Sequence, residues 1–84
     1  MRKSKIKTQL PQIGDIIKAY DFPGNESCYM IGRVVNIDTD MIYCATVKEV
    51  FDGQRAMAPI DSFQCPRQGL AFGDEAFQRV VILG

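Results

Sequence analysis

Residues 29–53, YMIGRVVNIDTDMIYCATVKEVFDG, constrain the fold of this chain more than any other stretch. Two runs rich in β-branched and aromatic residues flank Asp38-Thr39-Asp40, and the second run stops at Asp52-Gly53. Runs of that composition read as strands, and the polar trio between them reads as a turn, because Asp bonds its own backbone there. Asp and Gly both accept the left-handed conformation of a type I′ turn, so Asp52-Gly53 is a strong hairpin signal.

The rest of the chain reads the same way. Residues 13–22 form a first strand opened by Gly14-Asp15. A turn-rich loop follows through Pro23, Gly24 and Asn25. Residues 28–37 and 41–51 are the next strands, the latter with Met41, Tyr43, Ala45 and Val47 on one face. A short fourth strand over 55–60 is made irregular by Pro59. Residues 61–74 carry Pro66, Gly69 and Gly73 and read as a loop, with one helical turn after Asp61. Residues 75–83 are the last strand. The best helix candidate, 74–79, is too short to stand alone. Short strands at close intervals predict an all-β fold: a small five-stranded, strongly bent antiparallel barrel. The expected organisation is a basic arm over 1–12 and a single domain over 13–84. Ile17, Ala19, Ile31, Val34, Ile37, Val47 and Val81 are the expected core.

Composition narrows the function classes. Eighty-four residues make one domain, and 46% hydrophobic with 24% charged residues is ordinary globular chemistry. Ten basic and ten acidic residues cancel, but unevenly. Arg2, Lys3, Lys5 and Lys7 crowd the first seven positions, and the remainder holds six basic against ten acidic residues, a net of −4. A basic arm of this kind can contact phosphates. Cys28, Cys44 and Cys65 are odd in number and form no CxxC, and there is no His, so the usual zinc sets cannot be assembled. The cysteines read as reduced, buried apolar side chains, which fits a reducing cytoplasm. No apolar run approaches a membrane span, and the charged N-terminus lacks the apolar segment of a signal peptide.

No catalytic constellation is present. Without His, base catalysis would fall to Asp, Glu, Lys, Tyr or Cys, and only Cys65-Pro66-Arg67 sets a thiol beside a cation. Neither GxxxxGK[ST] nor GxGxxG occurs. Asp38-Thr39-Asp40 lacks the further ligands of a calcium loop. The chain therefore reads as non-enzymatic, with no metal and no cofactor. Tyr20 and Tyr29 flank the Pro-Gly loop and are the candidates for an exposed aromatic surface that stacks on bases or cages a cation.

GDIIKAYD, CYMIGRVVNID and MIYCATVKEVFDG together resemble the strand order of Tudor and related Src-homology-3-like barrels, which bind peptides, RNA or DNA. Gly32, Val34, Asp38 and Met41 also fall where Sm-like RNA-binding proteins carry their first motif, and the ending Val80-Val81-Ile82-Leu83-Gly84 resembles the end of their second. Ile42 and Leu83 stand where that family has Asn and Arg, so Asp38 and Gly84 are the RNA-holding positions that carry over. The string KAYDFPG has a faint resemblance to small uncharacterised proteins of marine bacteriophages. The Sm-like resemblance implies a self-associating RNA-binding module; the alternative is a protein-interaction (peptide-binding) barrel or a phage or bacterial accessory structural protein. The expected RNA contacts are Arg2, Lys3, Lys5, Lys7 and Asp38. The uninterrupted apolar run at residues 80–83 predicts homo-oligomers through the C-terminal strand.

Overall fold

The structure is a computed structural model that describes residues 10–22, 24–72 and 78–84. Its elements in chain order are β1 (Ile16–Phe22), β2 (Asn25–Ile37), β3 (Met41–Phe51), β4 (Gln54–Arg55), β5 (Ser62–Pro66), the short helix α1 (Gln68–Phe72) and β6 (Val80–Ile82). All strand pairings are antiparallel and build one sheet in the order β4-β3-β2-β1-β6, with β5 on the same side of β3 as β4.

The all-β expectation holds, with two differences. The sheet has six strands rather than five, because the stretch read as a loop over 61–74 contains β5 and α1. β5 carries only Phe63 and Cys65 as apolar inward positions, too little periodicity to stand out. Its pairing with Met41, Ile42, Tyr43, Cys44 and Ala45 of β3 makes it a strand. The hydrogen-bonded ladder also does not close into a barrel: β5 and β6 do not pair among the described residues. α1 lies against β6 instead. Gly69 sits so close that a Cβ there would strike the Gln78 carbonyl oxygen and Val80. The sheet still curls far enough for Cys65 of β5 and Val80 of β6 to share one buried cluster with Ile17, Ala19, Val34, Ile42 and Cys44.

Local chemistry sets the element ends. The first strand starts at Ile16, not at residue 13, because Gly14 takes φ +102° in a turn where the Asp15 N–H donates to the Gln12 carbonyl. Asp52 and Gly53, at φ 55° and 80°, make the expected left-handed turn between β3 and β4. The fourth strand ends at Arg55 and does not reach residue 60. The last strand is seen over Val80–Ile82, and residues 73–77 lie outside the described part.

Two β-bulges decide which side chains face the core. Ile31 pairs with Lys48 but Gly32 with Thr46, which leaves Val47 as the extra residue of β3. Val34 pairs with Cys44 but Asn36 with Tyr43, which leaves Val35 extra on β2. Both bulged valines are exposed, at 49% and 51%. The buried face of β3 is therefore Ile42 and Cys44, not Met41, Tyr43, Ala45 and Val47. Ile17, Ala19 and Val34 are buried as expected, and Ile31 and Ile37 are half-buried. Val47 is out because it is a bulge residue. Val81 is 38% exposed because β6 turns Val80 and Ile82 inward.

Candidate functional site

Directly opposed residues in a sheet share a face, and residues two apart on a strand do too. Tracing the register on the side away from the core gives three rows. The first runs Arg79, Tyr20, Tyr29, Val50, Arg55: Tyr20 pairs with Tyr29, Tyr29 with Val50 and Val50 with Arg55, while the Tyr20 N–H donates to the Arg79 carbonyl at 2.9 Å. The second runs Val81, Lys18, Ile31, Lys48. The third contains Ile16, Arg33 and Ala45. Of the six basic residues beyond the first seven positions, Lys18, Arg33, Lys48, Arg55 and Arg79 occupy this outer face. No acidic residue occupies a paired position in these rows.

Side-chain geometry shows the face at its centre. The Tyr20 and Tyr29 rings meet edge-on, with centroids 6.1 Å apart and planes at 64°. Lys18 Nζ lies 4.1 Å from the Tyr29 centroid and 4.9 Å from that of Tyr20. The Arg79 guanidinium is 4.1 Å from the Tyr20 centroid and reaches Glu26 at 3.7 Å, a pair whose Glu side chain is 79% exposed. Tyr20 is buried and Tyr29 half-buried. Burial pushes the Tyr20 phenol up, but hydrogen bonds from Lys18 and Arg79, with their charges, outweigh it and leave its pKa below the ordinary value.

Two acids lie on the opposite side, while Glu26 meets Arg79 at the edge of the tyrosine face. Asp21 sits where the register shifts between Tyr20 and Phe22, within reach of the charge of Glu49, which pairs with Met30 on the inner side. Burial first, and then the charge of Glu49, raise the Asp21 pKa. The Glu49 carboxylate also accepts from the Ile60 N–H at 3.3 Å. The near-zero net charge thus conceals a gathering of cations on one side of the sheet.

Among the expected site residues, Tyr20 and Tyr29 are brought together. Arg2, Lys3, Lys5 and Lys7 lie outside the described residues. Asp38 sits apart, in the turn between β2 and β3. Its Oδ1 accepts from the Asp40 and Met41 N–H groups at 2.9 and 2.8 Å, and its Oδ2 from the Tyr43 hydroxyl at 2.7 Å. The Tyr43 bond, followed by the two N–H bonds, lowers the Asp38 pKa, and the same bond raises that of Tyr43. Arg67 Nη1 ties the turn by donating to the Asp38 and Thr39 carbonyls, at 2.9 Å each. The guanidinium thus serves the turn rather than the neighbouring thiol. Cys65 points into the core, where burial pushes it up to about 12, and burial pushes Cys44 to about 11. Among the described residues no three His, Cys, Asp or Glu side chains group so as to hold a metal. No helix there is long and apolar enough to cross a membrane.

Sequence reasoning found the tyrosines and missed the five cations. The Lys18-Tyr20 spacing of two on a strand was a usable signal. Lys48, Arg55, Arg33 and Arg79 join the face only through register. No protein-family model, curated protein or solved structure matches the chain.

Proposed function

We propose that this chain is a non-enzymatic nucleic-acid-binding module whose contact surface is the outer face of the sheet. The observation that carries the reading is the gathering of Lys18, Arg33, Lys48, Arg55 and Arg79 around two tyrosines, with Asp21 and Glu49 turned to the other side. Cations neutralise phosphates and aromatic rings stack on bases, so the combination suits a polynucleotide. A cage for an external cation is less suited to this geometry, since the positive charges of Lys18 and Arg79 at the rings would repel it. The strongly bent sheet, with α1 between its ends, supports the barrel-related architecture that the Sm-like and Src-homology-3-like resemblance implies.

Salt dependence of oligonucleotide binding by the full chain tests the reading. The four arm cations alone give a slope of log K against log salt near −3 for single strands, at about −0.7 per neutralised phosphate. Adding Lys18, Arg33, Lys48 and Arg55 takes the slope to roughly −6. Arg33→Gln with Lys48→Gln should return about 1.4 of that. A slope near −3 that ignores both substitutions would assign all binding to the arm and defeat the proposal.

A second reading concerns assembly. β6 pairs with β1 alone among the described residues; α1 packs beside it at Gln78 and Val80, and past Val80 the strand carries no charge and Val81 and Leu83 are exposed. An uncharged open edge favours strand addition by a second copy. Light scattering across micromolar concentrations decides: a mass that stays at 9.4 kDa rules it out.

A further inference from the structure

We propose that Lys18 is a displaceable cover on Tyr29, and that a base of a single-stranded nucleic acid replaces it on the ring while the freed ammonium moves to a phosphate. This inference rests on the function proposed above and adds the form of the ligand and the residue that receives it.

The two tyrosines are not equivalent. Tyr20 is 9% exposed, is approached by Lys18 and Arg79 together, and supports Tyr29 edge-on. It is a wall, with no ring surface left for a ligand. Tyr29 is half-buried, and the cation placed over it is Lys18 at 4.1 Å. A lysine ammonium sits on a flexible four-carbon stem and is strongly hydrated, so it leaves a ring readily. A base held on the same ring gains stacking that every base can supply. The released Lys18 then stands between Lys48 and Arg79, in reach of a backbone that crosses the strands. Only an unpaired base can lie flat on a ring, since duplex bases are stacked on their neighbours. The chain contains three tyrosines and no tryptophan, so its own emission reports on so small a set of rings.

The full chain is titrated with a twelve-nucleotide deoxythymidine strand, with the same strand lacking its bases, and with a duplex of equal length. Tyrosine emission and affinity are read together. The expected result is quenching by the thymidine strand only, and affinity about tenfold or more above that of the abasic strand, equivalent to one stacked base. Tyr29→Leu should remove the quenching and most of that tenfold while keeping the salt slope, and Tyr29→Phe should restore the affinity but, having lost the emitting phenol, not the quenching. Lys18→Met should lower the slope by about 0.7 and leave the quenching at saturation intact. Equal affinity for the abasic strand, or for the duplex, overturns the stacking inference and leaves the phosphate-binding face standing. If none of the three binds, the proposed function itself fails and the inference fails with it.

Discussion

Gly32→Ala tests the bent sheet at its tightest point. Gly32 lies on the inner face of β2 opposite Thr46, beside the bulge at Val47. A Cβ built there would stand 2.5 Å from Phe63 Cε1, 2.8 Å from Phe63 Cζ and 2.8 Å from Cys44 Cβ. Gly32 is not among the positive-φ residues, so the backbone would accept alanine. Alanine in a strand would even gain about 0.5–1 kcal/mol over glycine through the unfolded chain. The overlap opposes that gain. The Phe63 ring is partly buried and can swing, but the Cys44 Cβ is carried by the backbone of a residue 1% exposed. Overpacking costs about 1–3 kcal/mol, and with contacts this short, one of them to a Cβ fixed by the backbone, about 2–3 kcal/mol applies here, so the net loss should be about 1–2.5 kcal/mol. Urea denaturation should show it as a lower midpoint with an unchanged slope, and heating as a drop of roughly 5–15 °C. Phe63→Leu added to Gly32→Ala should cost less than the two changes measured separately, by about 0.5 kcal/mol or more. A Gly32→Ala chain as stable as its parent would mean that β2, β3 and β5 do not converge there, and the core described above would be wrong.

Two pH-dependent outcomes follow from the charge pattern. In a spectrophotometric titration, one tyrosine (Tyr20) should ionise below the ordinary value and one (Tyr43) above it; Asp38→Asn should bring Tyr43 down and leave Tyr20 alone, and a single unshifted transition would contradict both assignments. Asp21 has a raised pKa, so its favourable contribution is complete below the unfolded carboxyl value and is lost as pH rises through the folded one. Charged Asp21 therefore opposes folding at neutral pH, and Asp21→Asn should raise the melting temperature at pH 7, with the difference shrinking as the solution is acidified; a lower melting temperature at pH 7 would reverse the sign of this reasoning.

The strand plan was legible wherever local chemistry decided it. β3 appears over the residues that its composition marked out, because Asp38 and Asp52-Gly53 set both of its ends through turn bonds and left-handed φ values. β5 was not legible. Ser62, Phe63, Gln64 and Cys65 alternate, but over too few residues to separate from a loop, and only the partner strand makes the assignment. The apolar run at residues 80–83 divides between the two sides of the sheet. Val80 and Ile82 meet the core, while Val81 stands beside Lys18 on the outer face.

The site was hidden for a sharper reason. Measured from the buried Cys44, strict alternation along β3 would turn Lys48 to the core side and Val47 and Glu49 outward; the sequence reading, with Val47 in the core, reverses the phase of the strand's first half. One extra residue reverses the phase. Past the bulge at Val47, Lys48 pairs with Ile31 on the outer face, and Glu49 pairs with Met30 on the inner one, near Asp21. The side on which Lys48, Glu49 and Arg55 lie thus depends on a single unpaired valine. Nothing in the composition around Val47 marks it as the bulge. It lies beside Gly32, where β2, β3 and the Phe63 ring of β5 come close together, so it is a feature of three strands rather than of one. A net charge of zero is therefore a poor guide to this protein: the sheet distributes its charges by register, and register is the one quantity that a single pass along the chain does not contain.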